Sequence, residues 1–582
     1  MSRLGHKHSE HSGKIVPLKD AVAKTVKPGM SLHLSTGAYA NAAVREIIRQ
    51  FWGKDPRFTL ISSGVTTPFK IALVCSGLVK KVITTNHSYL YPTVKPIPLL
   101  QNMHQEGRLE IESWSLYALE QRLMAAAKGV GFMPTKSLVG TTLGEEKSDA
   151  FKMMENPFEK GKQIGVVKAL FPDISFIHGC VADADGNVIL APPYFTSTWG
   201  PRSSRGGVVA TVEKIVPSEF IRSHNALVKV PGSMVTFVSP LSLGSHPQGL
   251  AAESIGIEDG YGEDYEFILE SVDAGKNQDT LNAWIEEWIL KCPEQQDYLR
   301  KLGPKRISLI KEKSSTGTSK KDLLKRGSQP ESQNGFNATE MMVVAAAREI
   351  MEVVRGAGYQ TILTGIGSPA MGAWLAYHLL EAGGEKVYLM TGSGLIGYAP
   401  KPGDPFLMTM SHVMTCSMLT DTTEIYGTLV GGTHNRCLSV LGTAQIDQFG
   451  NLNTVKIKGK PLIGVGGGGD AVNARETLVV AKQSPTRFLE KVDYVGCSGK
   501  NIKTLVTDYG VFKKLHKDET FTLIKILNAS STEKREDRIK KIQEMCGWPL
   551  KVADVLEGVV PPTAKELAVL RSLDPEGVFI GR

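Results

Sequence analysis

Two glycine-rich stretches of this chain can bring bare backbone amides against the oxygen atoms of a ligand. One is GVGGGGDAVN, from Gly464 to Asn473, which follows the apolar run PLI. Its consecutive glycines, Gly466, Gly467, Gly468 and Gly469, let N–H groups approach a phosphate or thioester oxygen where any side chain would stand in the way. No Lys-Ser or Lys-Thr pair follows, so this is not a Walker loop, and it is not a clean GxGxxG fingerprint with a later ribose-binding acid. The other stretch is Gly392, Ser393 and Gly394, at the end of the apolar run VYLM. A strand ending in this way delivers backbone N–H groups to an anion or a large ligand.

A carboxylate for acid–base chemistry is offered by Glu112, near the end of the alternating run RLEIES. Ser115 can cap the helix that follows, whose apolar positions are Leu116, Leu119 and Leu123, with Gly129 as its stop. Loop carboxylates at strand ends are where open α/β sheets place catalytic groups. Glu110 lies on the same face of the strand and competes for the role. Trp199 and Arg202, in STWGPRSSRGG, are candidates for a substrate pocket, arginine suiting a distal carboxylate; an ordinary surface loop is the alternative reading. His33, His178, His246 and His434 show no HxH or HxxxH spacing with a third ligand, so no metal is expected. His6, His8 and His11 cluster in the N-terminal tail.

The elements that must position these groups repeat. LHLSTGAYANAAVREI and FTLISSG in the first half are matched by TILTGIGSPAMGAWLA and VYLMTGSGLIG in the second, and FIHGCVADADGNVIL by SVLGTAQIDQFGNLNTV. Each is a short apolar run leading through glycine into the next element. Apolar, β-rich runs of this length (RFTLISSG, KKVITTN, RLEIES, ISFIHGC, TILTGIG, KVYLMTG, RCLSVLG, PLIGVGG) alternate with helical patterns. Buried strands between helices imply parallel sheets covered on both faces. The expected class is therefore α/β, with two homologous open, mainly parallel-sheet halves and a site where they meet.

Composition bounds the function. The 582 residues carry 59 glycines, against an average of about 7%, which favours many tight strand-to-helix turns. The net charge of +8 invites a nucleic-acid partner, but Lys301 to Arg326 holds nine Lys or Arg against two Asp or Glu, which accounts for nearly all of it. That stretch reads as a basic flexible linker. The expected division is a disordered tail at 1–13, a first domain at 14–300, the linker at 301–336 and a second domain at 337–582. No nucleic-acid partner is expected, and no membrane partner, since no apolar run approaches the roughly 18 residues of a span. The N-terminus lacks a secretory core and the seven cysteines are scattered without a CxxC, so a cytoplasmic protein with reduced thiols is expected.

In their order, several segments resemble the class I (family I) CoA-transferases of the glutaconate, succinyl and acetoacetyl type, built from α and β subunits. IESWSLYALEQRLMAAAKGVGFMPT, ADADGNV, VATVEKIVPSE and the GSHP at Gly244 to Pro247 look α-like. AQIDQFGNLNT, the Gly464 to Gly469 loop, FLEKVDYVG and TAKELAVLRSLDP look β-like. The resemblance implies a CoA-transferase/NagB-like fold, coenzyme A as part of the substrate, no metal, and a homodimer or higher homo-oligomer as a possible assembly.

The resemblance also implies a glutamate in a Glu-Ser-Gly or Glu-Asn-Gly motif, which forms the acyl and CoA intermediates. Here Gly392 holds that position, ahead of Ser393 and Gly394, and glycine can form neither intermediate. The leading expectation is a hydrolase or C–C-cleaving enzyme acting on a β-keto or dicarboxylic acyl-CoA. In it Glu112 serves as general base, and amides of the two glycine stretches hold the thioester oxygen or CoA. A genuine CoA-transferase is the alternative, and a catalytically inactive CoA-binding protein the second alternative.

Overall fold

The computed structural model describes residues 13–315, 335–403, 406–407, 409–515, 519–527 and 534–581. The cluster of His6, His8 and His11, and residues 316–334 of the expected linker, lie outside the described residues.

The first half is built on a nine-stranded sheet. Its parallel strands run in the order Glu110–Ser113, Val79–Asn86, Phe58–Gly64, Ser31–Leu34, Ile174–Ala182, Val208–Ile215 and Val235–Pro240. The second half has a ten-stranded sheet whose parallel part runs Tyr388–Met390, Thr361–Thr364, Cys437–Leu441, Glu476–Val480 and Ile502–Val506. Central strands such as Ile174–Ala182 and Cys437–Leu441 are buried at every position. Continuous apolar runs are what a strand covered on both faces requires.

The three repeated sequence segments occupy equivalent places. Ser31–Leu34 and Thr361–Thr364 are the strands from which each sheet is wound in both directions, and Ile174–Ala182 and Cys437–Leu441 are their neighbours across the reversal. Even the following turn is repeated. Asp183 Oδ1 accepts from the Asn187 amide at 2.9 Å, and Asp447 Oδ1 from the Asn451 amide at 2.9 Å. Gly186 and Gly450, each one residue earlier, both take a left-handed conformation at φ 87° and 79°.

Two expectations are corrected. The run PLIGVGG forms no strand of the sheet. Only Lys460–Pro461 pairs, with Lys456–Ile457; Leu462 N and Ile463 N then donate to Val455 O and Thr454 O, while Ile463 O and Gly466 bond to the first half. Within the stretch expected to be a flexible linker, Pro304–Ser315 is a helix. Ile307 and Ile310, three residues apart, pack on the first core, and Arg306 pairs with Asp264 at 2.6 Å and Glu270 at 3.1 Å.

The two halves join through main-chain and side-chain bonds within this one chain. Gly466 N donates to Thr85 O at 2.9 Å, Leu116 N to Gly466 O at 3.0 Å, and His87 N to Ile463 O at 3.0 Å. Phe195 N donates to Ser393 O at 3.1 Å and Thr422 N to Phe195 O at 3.0 Å. One apolar cluster contains Trp114, Leu119 and Leu143 of the first half beside Tyr426, Val465 and Phe488 of the second, so the seam is a core of its own.

Candidate active site at the seam

The carboxyl ends of the parallel strands of both sheets meet at the seam around a cavity of about 520 Å³, within the range of small-molecule sites. Thr36, Gly64 and Asn86 line it from the first half, just at or beyond Ser31–Leu34, Phe58–Gly64 and Val79–Asn86. Gly365, Gly392 and Gly442 line it from the corresponding strand ends of the second. The crevice at the point where strand order reverses is the ordinary ligand position of an open α/β sheet. Here two such crevices face each other.

The floor on the first-half side is held by Lys70, which is fully buried. Its Nζ donates to Ser35 O and Ser62 Oγ at 2.9 Å each and reaches Leu34 O, Thr36 Oγ1 and Gly64 O at 3.2–3.4 Å. Burial draws its pKa down to about 7. One ammonium thus ties together two strand ends that line the cavity.

Of the glycine loop, Gly466, Gly467 and Gly468 line the cavity, and Gly469 lies behind them against Ser115. Their amides are not equivalent. Gly466 N donates to Thr85 O and Gly468 N to Val465 O at 3.0 Å, so neither is available to a ligand. The N–H of Gly467 has no acceptor among the described residues, nor do those of Gly392 and Ser393. Gly394 does not line the cavity; its N–H donates to Thr391 O at 3.1 Å, and a Cβ there would collide with Thr420 O. The Ser393 hydroxyl is bonded to Thr391 Oγ1 at 2.7 Å.

Behind the loop, Asp470 ties the second half to the first. It accepts from Ser115 Oγ at 2.8 Å, Ser137 Oγ at 2.5 Å and Tyr117 N at 2.8 Å. Burial pushes its carboxyl up to about 6 against the pull of these bonds.

Glu112 is not part of this cavity. Its carboxylate receives Lys81 at 2.7 Å, Trp114 Nε1 at 2.6 Å and Arg122 at 3.2 Å. Burial alone would raise its pKa, but the bonds from Lys81 and Trp114 and the charge of Arg122 hold it below the usual carboxylate range. The strand end was read correctly, but the partners on the adjacent strand and the following helix hold the side chain in an ion-pair network. Glu110 is exposed and shares Lys81 at 2.8 Å. Trp199 and Arg202 also lie outside the cavity: the guanidinium sits 5.1 Å from the indole ring and donates to Lys229 O at 3.0 Å.

Two residues that the sequence did not single out line the site. Tyr426 enters the cavity from a π-helical turn, Glu424–Val430, an irregularity often found at functional sites. A Cβ on Gly392 would overlap its hydroxyl and lie 2.9 Å from Cζ; a Cβ on Gly467 would overlap the same hydroxyl and lie 2.8 Å from Cζ. Both glycines are thus required by one phenol. Glu263 lines a second cavity that shares Tyr39, Thr66, Leu90, Phe195 and Ser393 with the first. Tyr89, Tyr91 and Phe406 make this side cavity aromatic, and among its described lining residues there is no Lys or Arg and one carboxylate, Glu263.

Comparison with known proteins agrees with this geometry. A family model described as coenzyme A transferase matches residues 16–240. The A-type chain of glutaconate CoA-transferase from Acidaminococcus fermentans is 27% identical over 320 residues, covering 51% of this chain and 94% of the relative. The B-type chain of 3-oxoadipate CoA-transferase from Pseudomonas knackmussii is 28% identical over 263 residues, covering 41% of this chain and 94% of the relative. In fold, an acyl-CoA transferase from Escherichia coli O157:H7 superposes with a TM-score of 0.65 at 16% identity, covering 96% of this chain and 98% of its own. A-type and B-type CoA-transferase subunits each match about half of a polypeptide whose two sheets face one cleft, and in sequence and fold the chain is similar to a fusion of the two subunit types.

Proposed function

We propose that this chain processes an acyl-CoA by hydrolysis or C–C cleavage rather than by transfer of CoA through a glutamyl intermediate. One observation carries this reading. At the position where the family resemblance implies a nucleophilic glutamate stands Gly392, and the space its side chain would need is filled by Tyr426. Without the carboxylate neither the acyl-glutamyl anhydride nor the glutamyl thioester can form.

The remaining groups suit attack by water. The amides of Gly392, Ser393 and Gly467 line the cavity without acceptors of their own, as donors to a thioester oxygen must. Glu263, in the adjoining cavity, takes the general-base role expected of Glu112, removing a proton from water as the oxygen attacks a carbonyl carbon. Glu112 is assigned to holding Lys81 and Arg122 in place. The acyl group is uncharged at its far end, because the side cavity offers it aromatic walls and, among its described lining residues, no cation. Of the two substrate classes expected from sequence, the β-keto acyl-CoA is favoured over the dicarboxylic one.

The test is mass spectrometry of the purified chain with pooled acyl-CoAs in ¹⁸O-labelled water, with and without acetate or succinate. Free CoA or a cleaved acyl-CoA carrying one labelled oxygen, independent of acceptor, is the expected result. New acetyl- or succinyl-CoA would establish transfer and overturn the proposal.

A further inference from the structure

We infer that Tyr426 is a catalytic residue, its phenol donating a hydrogen bond to the substrate's thioester carbonyl oxygen as that oxygen becomes an oxyanion or enolate. The inference rests on the reading of the seam as an acyl-CoA site and goes beyond it by naming the side chain that replaces the missing carboxylate.

The ring of Tyr426 is anchored and its hydroxyl is not. Tyr426 is 7% exposed and belongs to the apolar cluster that spans the seam, so the direction of the phenol is fixed by packing. The oxygen at its tip rests over Gly392 and Gly467, which come from different loops, and both loops leave out a side chain to admit it. Among the described residues no group donates to it or accepts from it. The side chain lines the cavity, and a phenol is commonly placed where its hydroxyl finds a partner. Lining the same cavity are three N–H groups that have no acceptor among the described residues, those of Gly392, Ser393 and Gly467. Donors that line one cavity suit an acceptor with more than one lone pair. A thioester oxygen acquiring negative charge is such an acceptor.

The phenol meets the chemical requirement as well. Burial raises its pKa, with the Asp470 charge adding to the effect, so it stays protonated and donates. In the step proposed, the proton on the carbon between two carbonyls passes to a base. The electron pair of that C–H bond moves onto the carbonyl oxygen, and Tyr426 holds the resulting charge without giving up its own proton. The same bond would hold the oxyanion formed when water adds to the thioester.

The experiment uses the full chain and acetoacetyl-CoA, whose enolate has its own ultraviolet absorption band. The band is titrated against pH for free and bound probe, with wild type and Tyr426→Phe, while affinity is followed by calorimetry. The expected result is that wild type raises the enolate fraction of the bound probe. Tyr426→Phe should bind it within about threefold and lower the enolisation constant on the order of 100-fold, the usual effect of removing one oxyanion donor. A fluorinated tyrosine at 426, nearly the same shape and a stronger donor, should shift the constant the other way. An unchanged band in Tyr426→Phe overturns this inference and leaves the acyl-CoA reading intact. Failure of wild type to bind acetoacetyl-CoA overturns both.

Discussion

The phenol oxygen of Tyr426 occupies the place where a side chain on Gly392 would begin, with Cζ only 2.9 Å from the position of a Cβ. The ring cannot retreat easily, because it is packed in the core that joins the two halves. Gly392→Ala should therefore lower stability by about 1–3 kcal/mol, the cost of overpacking a filled core, measured as a shift of the urea midpoint. Gly392→Glu alone should yield unstable protein with no transferase activity. Gly392→Glu combined with Tyr426→Ala makes room, and a glutamyl-CoA thioester should then be trapped by hydroxylamine. Trapping in the single variant would show that the ring moves aside freely.

Glu112→Gln separates an ion-pair role from a catalytic one. The substitution leaves Arg122, 7% exposed and stacked 4.2 Å from the Trp114 ring, with a neutral partner. A loss of about 1–2 kcal/mol in chemical denaturation follows, toward the low side of a broken buried pair because the carboxylate is partly open to water. Turnover, once a substrate is identified, should remain within about threefold of wild type.

Glu263→Gln should have the opposite profile. Removing a general base costs on the order of 10²–10⁴ in kcat, while the aromatic walls of the side cavity remain. Substrate affinity, read by thermal shift with acetoacetyl-CoA, should be unchanged. A variant with normal kcat would return the base to another group.

Acid should unfold this protein early, for a reason unrelated to the cleft. Burial lowers the pKa of His33 to about 3, of His87 to about 4 and of His412 to about 4. Among the described residues neither ring nitrogen of His87, nor His412 Nε2, has a hydrogen-bond partner, so the neutral form is the one that fits. The unfolded chain takes up these protons near pH 6.5 and the folded chain does not. Stability is then whole above pH 6.5 and falls as pH drops toward 4, by about 2 kcal/mol per histidine at pH 5. Urea midpoints at pH 7.5 and 5.0 check this, and His87→Phe should flatten the slope by about one third if the fold accepts it.

The sheets were legible because their strands are buried on both faces, which leaves no choice but long apolar runs such as ISFIHGCVA and CLSVL. The internal repeat was legible because glycine recurs at strand ends, where the backbone must turn. Individual side chains were harder to place. Glu112 stands at a strand end as expected, but its fate was decided by Lys81 on the neighbouring strand and Arg122 in the second turn of the helix. The glycine loop was recognised, yet which amides remain available depends on Thr85 from the other half. Tyr426 left no trace in the sequence, since EIYGTLV has no spacing that announces a π-helical turn. Glu263 is one acidic residue among several in a loop, and only the tertiary fold brings it beside Tyr39 and Ser393.

The phenol wedged over Gly392 also constrains how this gene can change. A glutamate codon restored at 392 would meet an obstructed backbone, and a small residue substituted at 426 would leave a hole and no carboxylate. Each step alone costs stability, and only their combination makes room for a carboxylate at this place in the cavity. The two positions are energetically coupled: what a side chain at one costs depends on which residue stands at the other.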